Sequence, residues 1–299
     1  MKGKIVVVGS SNTDMVIRTD YFPKPGETII GGKFLMNPGG KGANQAIAAA
    51  RMGAKVTFIA KLGNDIFSVQ AMHQLEKEGI NIDYIVFDKV NPSGVALITV
   101  DAKGENTIVV APGSNMELSP LDFADGEQSL TDADIWLMQL EIPMSTVAFC
   151  AHWAKSKGKK VILNPAPASP LNDDLLLNLY LITPNETETE LITGIRIDDE
   201  ICMKRACEWF KNKGVENVII TLGAKGVYLS AQGFSQIVAA PLVKAIDTTA
   251  AGDVFNGALV AALSENLDWI KATEFAVKAA SISVTRIGAQ SSAPYRSEI

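Results

Sequence analysis

The sequence predicts an α/β fold with a mostly parallel central sheet flanked by helices. Short apolar segments without a polar face recur along the chain, and stretches of helical character separate them. Strands that are apolar on both faces belong inside a sheet that helices cover. Because strands and helices alternate, we expect parallel strands, with ligands bound beyond their C-terminal ends.

The predicted strands are short runs rich in Val, Ile and Leu. They cover Lys4 to Val8, Val56 to Ala60, Ile135 to Met138, Val161 to Leu163, Leu179 to Ile182 and Val218 to Thr221. The predicted helices between them include Ile66 to Gly79, Ser145 to Lys157, Ile201 to Lys213 and Val254 to Ser264. Polar or glycine-rich segments follow most of these strands, which predicts a site at the C-terminal edge of the sheet.

Two segments interrupt the alternation, one at about 14–36 and the other at about 94–110. The second has the pattern of a hairpin that turns between Asp101 and Asn106. Together they predict a small β-sheet that projects from the main body. We therefore expect one α/β domain over residues 1–299, with this small sheet attached to it.

Composition excludes several classes of function. The chain has 299 residues and is 47% hydrophobic, enough for a large core. A formal net charge of -6 argues against binding to nucleic acid or to an anionic membrane surface. No apolar run is long enough to span a membrane, and no N-terminal signal is visible.

Cysteine and histidine usage narrows the chemistry further. The three cysteines lack metal-binding or Cys-x-x-Cys spacing, which suits the reducing cytoplasm. With only two histidines, a His-ligated metal or a serine-type catalytic triad is not expected. We therefore expect a cytoplasmic protein.

The segment before the last predicted helix has the character of an anion site. Ala250, Ala251 and Gly252 leave the N–H groups of the helix start open to a phosphate, and Asp253 would stand beside whatever attacks it. In the alternative interpretation, Asp253 only caps or charges the start of the helix. This segment alone does not decide between the two.

A second glycine-rich turn leads into another apolar helix at Gly39 to Gly42. Glycines allow close backbone approach, and Lys41 and Asn44 can donate to hydroxyl groups. The turn is not a Walker A motif, since Gly42 follows Lys41 where Ser or Thr would be required. A Gly-Gly-x-Gly turn by itself is more often a plain loop.

Taken with Asn12-x-Asp14, the two glycine-rich segments resemble the ribokinase family of PfkB-like sugar kinases. Further motifs occur in the family's order: Leu137 to Glu141, Asn164 to Ala168, Thr183 to Glu188 and Thr221 to Gly226. The resemblance covers nearly the whole chain. One departure is Ala250, which stands where most family members have Gly.

The resemblance implies a ribokinase-like fold and an ATP-dependent sugar kinase. The substrate it implies is D-ribose, phosphorylated at the 5-hydroxyl; 2-deoxyribokinase, fructokinase and nucleoside kinase activities are the alternatives. A non-catalytic sugar-binding regulator is a further alternative, but pure binding does not need a base such as Asp253. Mg²⁺ is the implied cofactor of ATP, and K⁺ an activating ion. The small sheet corresponds to the family's lid over the sugar.

Specific roles also follow from the resemblance. Asp253 is the implied general base, and the backbone amides of Ala251, Gly252 and Asp253 form the implied anion hole, with Ala250 in the same motif. The implied sugar ligands are Asn12, Asp14, Gly40, Lys41, Asn44 and Glu141. The implied nucleotide contacts are Asn185, Thr221, Gly223, Gly226, Gly252 and Asn256, with residues 276–283 near the adenine.

The remaining implied sites concern ions and a partner. Glu188 would approach Mg²⁺ through metal-bound water, although residues 185–190 also fit a solvated helix start. The positions that match a K⁺ site are Asp247, Thr249, Ser283, Arg286, Gly288 and Ser292. The predicted hairpin is apolar on both faces, so we expect one face to cover the sugar and the other to form a homodimer.

Overall fold

A nine-stranded sheet runs through the centre of the computed structural model, which describes residues 3–123 and 130–299. Its order is β13-β12-β11-β10-β9-β8-β1-β4-β5. In this order, the seven neighbouring strands from β11 to β5 are all parallel. Strand β12 is antiparallel to both β11 and β13. The strands are β1 Lys4–Val8, β4 Lys55–Gly63, β5 Asn81–Asp88, β8 Ile135–Met138, β9 Lys160–Leu163, β10 Leu181–Ile182, β11 Asn217–Thr221, β12 Val227–Ala231 and β13 Phe234–Val238.

Helices cover both faces of this sheet. Within β1, Ile5 and Val7 belong to one buried cluster, and Val6 and Val8 belong to the other. This burial on both faces explains why the predicted strands are apolar at every position. The helices are α1 Lys41–Arg51, α2 Ile66–Lys77, α3 Met144–Ser156, α4 Asp173–Leu176, α5 Glu186–Thr193, α6 Glu200–Asn212, α7 Ala251–Ser264 and α8 Trp269–Ser283.

The predicted α/β class with a mostly parallel sheet is confirmed. Sequence patterns did not identify the edge strands β5 and β13, the strand β12 next to β13, or the helix α8. The first cluster contains the apolar side chains of α1, α7 and α8, and the second contains those of α3 and α6. Helices α1 and α7 pack closely, since a Cβ added at Gly257 would lie 2.5 Å from the Cβ of Ala48. This close packing brings the two glycine-rich helix starts together.

The small sheet, which we call the lid, has four strands in the order β3-β2-β6-β7. Strand β2 pairs parallel with β6, and the outer pairs are antiparallel. Its hairpin turns where predicted, with the side chain of Asp101 accepting from the amides of Lys103 and Glu105. The strands are β2 Asn12–Arg18, β3 Lys33–Gly39, β6 Gly94–Val100 and β7 Asn106–Ala111.

One face of the lid carries Asp14, and the opposite face is apolar and exposed. Asp14 is paired with Ala96, whereas Leu97 is paired with Met15 and Val109, so these two groups lie on opposite faces. Leu97 is 56% exposed and Val109 is 68% exposed. In the described ranges of the chain, no helix is both long and apolar enough to cross a membrane.

Candidate active site

The site begins where the turn before α1 crosses the segment after β1. Gly40 has a φ of 87°, and a Cβ there would lie 2.7 Å from the backbone nitrogen of Asn12. A Cβ on Gly42 would lie 2.5 Å from the backbone nitrogen of Ser10. Glycine is therefore required at both positions, because backbone packs directly on backbone. This contact sets Lys41 and Asn44 beside the start of the lid.

Three carboxylates and one lysine share the region between the lid and the main sheet. Burial, followed by the nearby charges of Glu141 and Asp253, raises the pKa of Asp14 to about 6. Lys41 partly opposes this shift. A carboxyl group that titrates near neutral pH is typical of a functional cleft. The predicted sugar ligands Asp14, Lys41 and Glu141 are therefore electrostatically coupled to the predicted base.

Lys41 is the positive charge of this cluster. Burial alone would lower the pKa of its ammonium group, but the surrounding carboxylates outweigh burial and raise that pKa above its usual value. Those carboxylates are Asp253, Glu141, Glu188 and Asp14, in decreasing order of effect. Lys41 thus stays protonated and can interact with a group that carries negative charge.

Two of the predicted sugar ligands also have partners within the protein. Glu141 Oε2 accepts from the backbone nitrogen of Lys41 at 3.0 Å and from the hydroxyl of Ser10. Asn12 Oδ1 accepts from Asn115 Nδ2 at 2.7 Å. Both side chains therefore support the loops around the cleft, and their proposed contacts with sugar would use their remaining hydrogen-bonding capacity.

Asp253 is buried at the junction of the two glycine-rich segments. Its Oδ2 accepts from Asn44 Nδ2 at 2.9 Å, and its Oδ1 accepts from Gln45 Nε2 at 2.9 Å. Burial raises the pKa of Asp253, while Lys41, Asn44 and Gln45 act to lower it. Helix α7 starts two residues earlier, so the carboxylate also lies in the favourable field of a helix N-terminus. A buried carboxylate with this support can accept a proton from a bound hydroxyl group.

The predicted anion site lies at the start of α7. Ala250 is its N-cap residue and adopts a left-handed conformation, with φ at 59°. The amide of Val254 donates to the carbonyl of Ala250, so Gly252 and Asp253 belong to the first turn, whose amides have no acceptor within the helix. A Cβ on Gly252 would meet no atom within 4 Å. The space in front of this turn is therefore open to a ligand.

A cavity of about 390 Å³ adjoins this helix start. It is lined by the predicted nucleotide residues Thr221, Gly223, Gly226 and Gly252, together with Val277, Ala280 and Ser281 of α8. Its other wall is the segment from Ala240 to Ala245, which contains the fully exposed Leu242. Sequence motifs did not single out this segment as part of a site. Its apolar residues in a loop were a signal that could have indicated a binding surface.

The glycines of the cavity differ in what requires them. A Cβ at Gly223 would meet no atom within 4 Å, so this glycine leaves space on the cavity side. A Cβ at Gly226 would lie 2.1 Å from the carbonyl oxygen of Val238, and φ at Gly226 is 99°. Gly226 is therefore required by the backbone of the neighbouring strand as well as by any ligand.

Asn256 is not among the residues that line the cavity. Its Nδ2 donates to the carbonyl of Gly252 at 2.8 Å, and its Oδ1 accepts from Thr183 Oγ1 at 2.7 Å. Since the side chain is only 1% exposed, its visible role is to fix the start of α7. An effect of Asn256 on the nucleotide would pass through Gly252.

Asn185 and Glu188 form a capping box at the start of α5. Glu188 Oε2 accepts from the amide of Asn185 at 2.9 Å, and the side chain of Asn185 accepts from the amide of Glu188 at 2.7 Å. The helix start was foreseen, but Glu188 is buried rather than solvated. Burial raises the pKa of its carboxyl group, against the opposing effect of Lys41.

The residues that match a K⁺ site come from two adjoining segments and a following loop. Asp247 Oδ1 accepts from the amide of Thr249, and Asp247 Oδ2 accepts from the amide of Gly288, both at 2.9 Å. The amide of Arg286 donates to the carbonyl of Ser283 at 3.0 Å, and its guanidinium pairs with Glu298. Ser292, four residues after Gly288, is buried. The Asp247 contacts hold the loop that leads into Ala250.

Within the described ranges, no group of three or more His, Cys, Asp or Glu residues is arranged to hold a metal ion. Mg²⁺ usually binds enzymes through one or two carboxylates, water and the phosphates of a substrate. The donor set here, with Glu188 as one carboxylate near the cluster, fits that mode of binding.

Comparison with known proteins assigns the chain to a family. The family model described as pfkB family carbohydrate kinase matches residues 2–296. The chain belongs to this family. A ribokinase of Haemophilus influenzae is 48% identical over 298 residues, which cover 100% of this chain and 97% of that protein.

A second sequence relative and a solved structure are also similar to this chain. A deoxyribokinase of Salmonella typhi is 38% identical over 291 residues, covering 97% of this chain and 95% of that protein. The structure of an Arabidopsis thaliana ribokinase complexed with ribose and ATP has a TM-score of 0.92 and 32% identity, covering 99% of this chain and 97% of that one. The predicted ribokinase-like fold and membership among carbohydrate kinases are therefore confirmed.

Proposed function

We propose that this protein transfers the γ-phosphoryl group of ATP to the 5-hydroxyl of D-ribose, giving D-ribose 5-phosphate and ADP. The observation that carries the proposal is the position of Asp253. It lies between a cluster of polar side chains suited to hydroxyl groups and a helix start that borders an apolar cavity. A kinase needs its base at such a boundary between two substrates.

The proposed reaction assigns each part of the site a task. The sugar binds on the side of Asp14 and Lys41, with its 5-hydroxyl directed to the Asp253 carboxylate. Asp253 accepts the hydroxyl proton as the oxygen attacks the γ-phosphorus, and the bond from phosphorus to the β,γ-bridging oxygen breaks. Lys41 and the first-turn amides of α7 stabilise the charge on the transferring group.

Exclusion of water is the proposed task of the lid. Water near the γ-phosphate would compete with the sugar as a nucleophile. The lid carries Asp14 on its inner face, so contact with the sugar and coverage of the site depend on the same sheet. We infer that sugar binding and lid closure are coupled through Asp14.

The proposed ions serve the nucleotide and its loop. Mg²⁺ would neutralise charge on the ATP phosphates, and Glu188 would hold it through metal-bound water. K⁺ would be held largely by backbone carbonyls of the segments around Asp247 and Ser283. Asp247 is suited to hold the loop itself, since it accepts two backbone amides and its pKa is below the usual value, burial being outweighed by hydrogen bonds from Thr249 and Gly288.

D-ribose is favoured over 2-deoxyribose because the ribokinase of Haemophilus influenzae is more similar to this chain than the deoxyribokinase is. The test is ADP release measured in parallel with ribose, 2-deoxyribose, fructose and adenosine. The Asp253→Asn variant supplies the background rate for each. The highest kcat/KM should belong to ribose; a higher value for any other acceptor would replace ribose with that substrate.

A homodimer through the outer face of the lid is a further part of the proposal. The exposed row of Phe34, Leu97 and Val109 is an apolar surface on one sheet face. Light scattering at micromolar concentration should give twice the chain mass, and Leu97→Asp should give the single mass. A wild-type monomer would remove the dimer from the proposal.

The last two parts of the proposal concern domain organisation and cellular location. We propose that residues 1–299 act as a single domain with an attached lid, since β2 begins only a few residues after β1. We also propose a cytoplasmic location, because the described cysteines are free thiols, with Cys150 and Cys207 buried. Fractionation of cells that produce the protein would test the location.

A further inference from the structure

Gln45 contacts Asp253 from a position that sequence motifs did not single out. Its Nε2 lies 2.9 Å from Asp253 Oδ1, and its side chain is completely buried. Asn44 serves the other carboxylate oxygen, yet its own Oδ1 is buried without a hydrogen-bond partner. Asn44 therefore keeps capacity for a ligand, whereas Gln45 is cut off from solvent.

The orientation of the Gln45 amide is determined by a chain of neighbours. Asn164 Nδ2 donates to the carbonyl of Thr183 at 3.2 Å, and a carbonyl can only accept. Asn164 must therefore present its Oδ1 to Gln45, whose Nε2 donates to it at 2.9 Å. The Gln45 Oε1 in turn accepts from Gln139 Nε2 at 2.5 Å.

Reversal of the Gln45 amide would be unfavourable. Its oxygen would then face the oxygens of both Asp253 and Asn164, and its nitrogen would face the nitrogen of Gln139 as that side chain now stands. A buried mismatch of this kind costs about 1 to 3 kcal/mol for each unsatisfied group. The main-chain carbonyl of Thr183 thus determines, through two side-chain amides, that Asp253 always receives a donor.

We propose that Gln45, held by Asn164 and Gln139, is a positioning residue that fixes the orientation and the ionised form of the Asp253 carboxylate. This inference rests on the proposed function, in which Asp253 is the base. Gln45 is committed to Asp253 Oδ1 and Asn164, so the incoming hydroxyl group meets a carboxylate with one rotational setting. A base held in a single orientation loses less entropy when the reacting geometry forms.

The electrostatic surroundings of Asp253 define what Gln45 adds. Burial raises the pKa of Asp253, and Glu141 raises it further, while Lys41, Asn44 and Gln45 lower it. Asp14 and Glu188 also interact with Asp253 from the lid and from α5. Loss of the Gln45 donor leaves these charges in place, so the pKa of Asp253 should move upward.

The primary test is Gln45→Met, which keeps the length of the side chain and removes its donor. We expect kcat/KM for ribose at pH 8 to fall about 10-fold to 100-fold, the range for a hydrogen bond to a charged group. We expect the acid limb of kcat against pH, measured at saturating ribose so that the effect of Asp14 on KM does not contribute, to move to higher pH, since the base would titrate later. A folded variant with an unmoved acid limb would overturn the proposal, whatever its rate.

A second variant avoids any direct contact with Asp253. Gln139→Met removes the group that holds Gln45 Oε1, and it also removes a buried Oε1 that has no partner, so folding should be retained. We expect a shift of the acid limb in the same direction and of smaller size. If Gln45→Met fails to fold, Gln139→Met decides the question, and a wild-type pH profile in it would contradict the proposal.

Asn217→Leu is the matched control. Asn217 is a buried amide at the start of β11, where its Nδ2 donates to the carbonyl of Tyr180 at 3.0 Å, at the opposite edge of the sheet. Its loss should lower stability without moving the pH profile. Absence of ADP release with every acceptor in the wild type would refute the proposed function itself, whereas activity that requires Asp253 but is insensitive to Gln45 would refute only this inference.

Discussion

Replacement of Asp253 by Asn tests the central base while leaving the fold intact. Two donors, from Asn44 and Gln45, face the carboxylate. Gln45 cannot reverse its amide, but Asn44 can, since its Oδ1 has no partner. The variant can therefore accept from Gln45 through its oxygen and donate to Asn44 through its nitrogen. We expect Asp253→Asn to fold with every hydrogen bond at this position retained.

Activity should nevertheless fall steeply. A general base contributes about 100-fold to 10,000-fold to kcat, which corresponds to about 3 to 5 kcal/mol of transition-state stabilisation. The amides of α7 and the Lys41 charge remain in the variant, so residual turnover should exceed that of a variant that also lacks Lys41. KM for ATP should change little, because the carboxylate acts on the hydroxyl group of the sugar.

Stability provides an independent check with the opposite sign. Burial raises the pKa of Asp253 above its usual 3.8, so the folded state loses stability as pH rises from that value through the folded pKa. Asn has no such titration. The free energy of unfolding of Asp253→Asn, relative to wild type, should therefore increase between pH 4 and pH 8.

The assay is ADP release with saturating ATP, Mg²⁺ and ribose, with circular dichroism and urea unfolding at several pH values. Turnover within a factor of about three of the wild type, in a variant with wild-type circular dichroism, would refute the assignment of Asp253 as the base, since even a weak base contributes about 100-fold. A stability difference that shrinks as pH rises would refute the burial argument.

Four further predictions concern the sugar side, the anion site, the helix start and the cation. Since burial raises the pKa of Asp14 to about 6, KM for ribose should rise about tenfold from pH 7 to pH 5, and Asp14→Asn should abolish this dependence; a pH-independent KM in the wild type would contradict it. Gly252→Val should lower kcat/KM for ATP about 100-fold or more, with Gly252→Ala intermediate, because a side chain there enters open space before the first-turn amides; equal kinetics would show that phosphate binds elsewhere. Ala250→Gly should raise the free energy of unfolding by about 0.5 to 1 kcal/mol, as relief of left-handed strain exceeds the added chain entropy; a decrease in urea unfolding would contradict this. Addition of KCl to an assay buffered with bulky organic cations should raise turnover, and Asp247→Asn should weaken the effect; equal rates with and without K⁺ would remove the cation site.

The sequence predicted the elements whose apolar pattern is complete within a few residues. Strands such as Ile135–Met138 are buried on both faces, so every position carries the signal. The edge strand Phe234–Val238 is antiparallel, and its first four residues alternate between partly buried and exposed. Its sequence therefore contains no continuous apolar run. Helix Trp269–Ser283 was missed even though its burial is strong.

The candidate site was predictable where glycine and charge occur together. The turns at Gly40 and Ala250 have left-handed backbone conformations, and each leads into a buried helix, which local sequence can indicate. Gln45 was not foreseen because its role depends on Asn164 and Gln139. These residues directly follow strands β9 and β8, about 100 residues further along the chain. Partner contacts of this kind arise from tertiary packing, and single-sequence patterns do not contain them.

The position of the new phosphate ester is the most direct test of phosphoryl transfer to the 5-hydroxyl of ribose. The protein is incubated with ATP, Mg²⁺, K⁺ and D-ribose labelled with ¹³C at carbon 5, and the product is analysed by phosphorus NMR with Asp253→Asn as the matched control. We expect one sugar phosphate whose phosphorus couples to the labelled carbon, formed in equal amount to ADP; the control should form at least about 100-fold less of it in the same time. A phosphate on another hydroxyl group, or ADP formed without any sugar phosphate, would contradict this expectation.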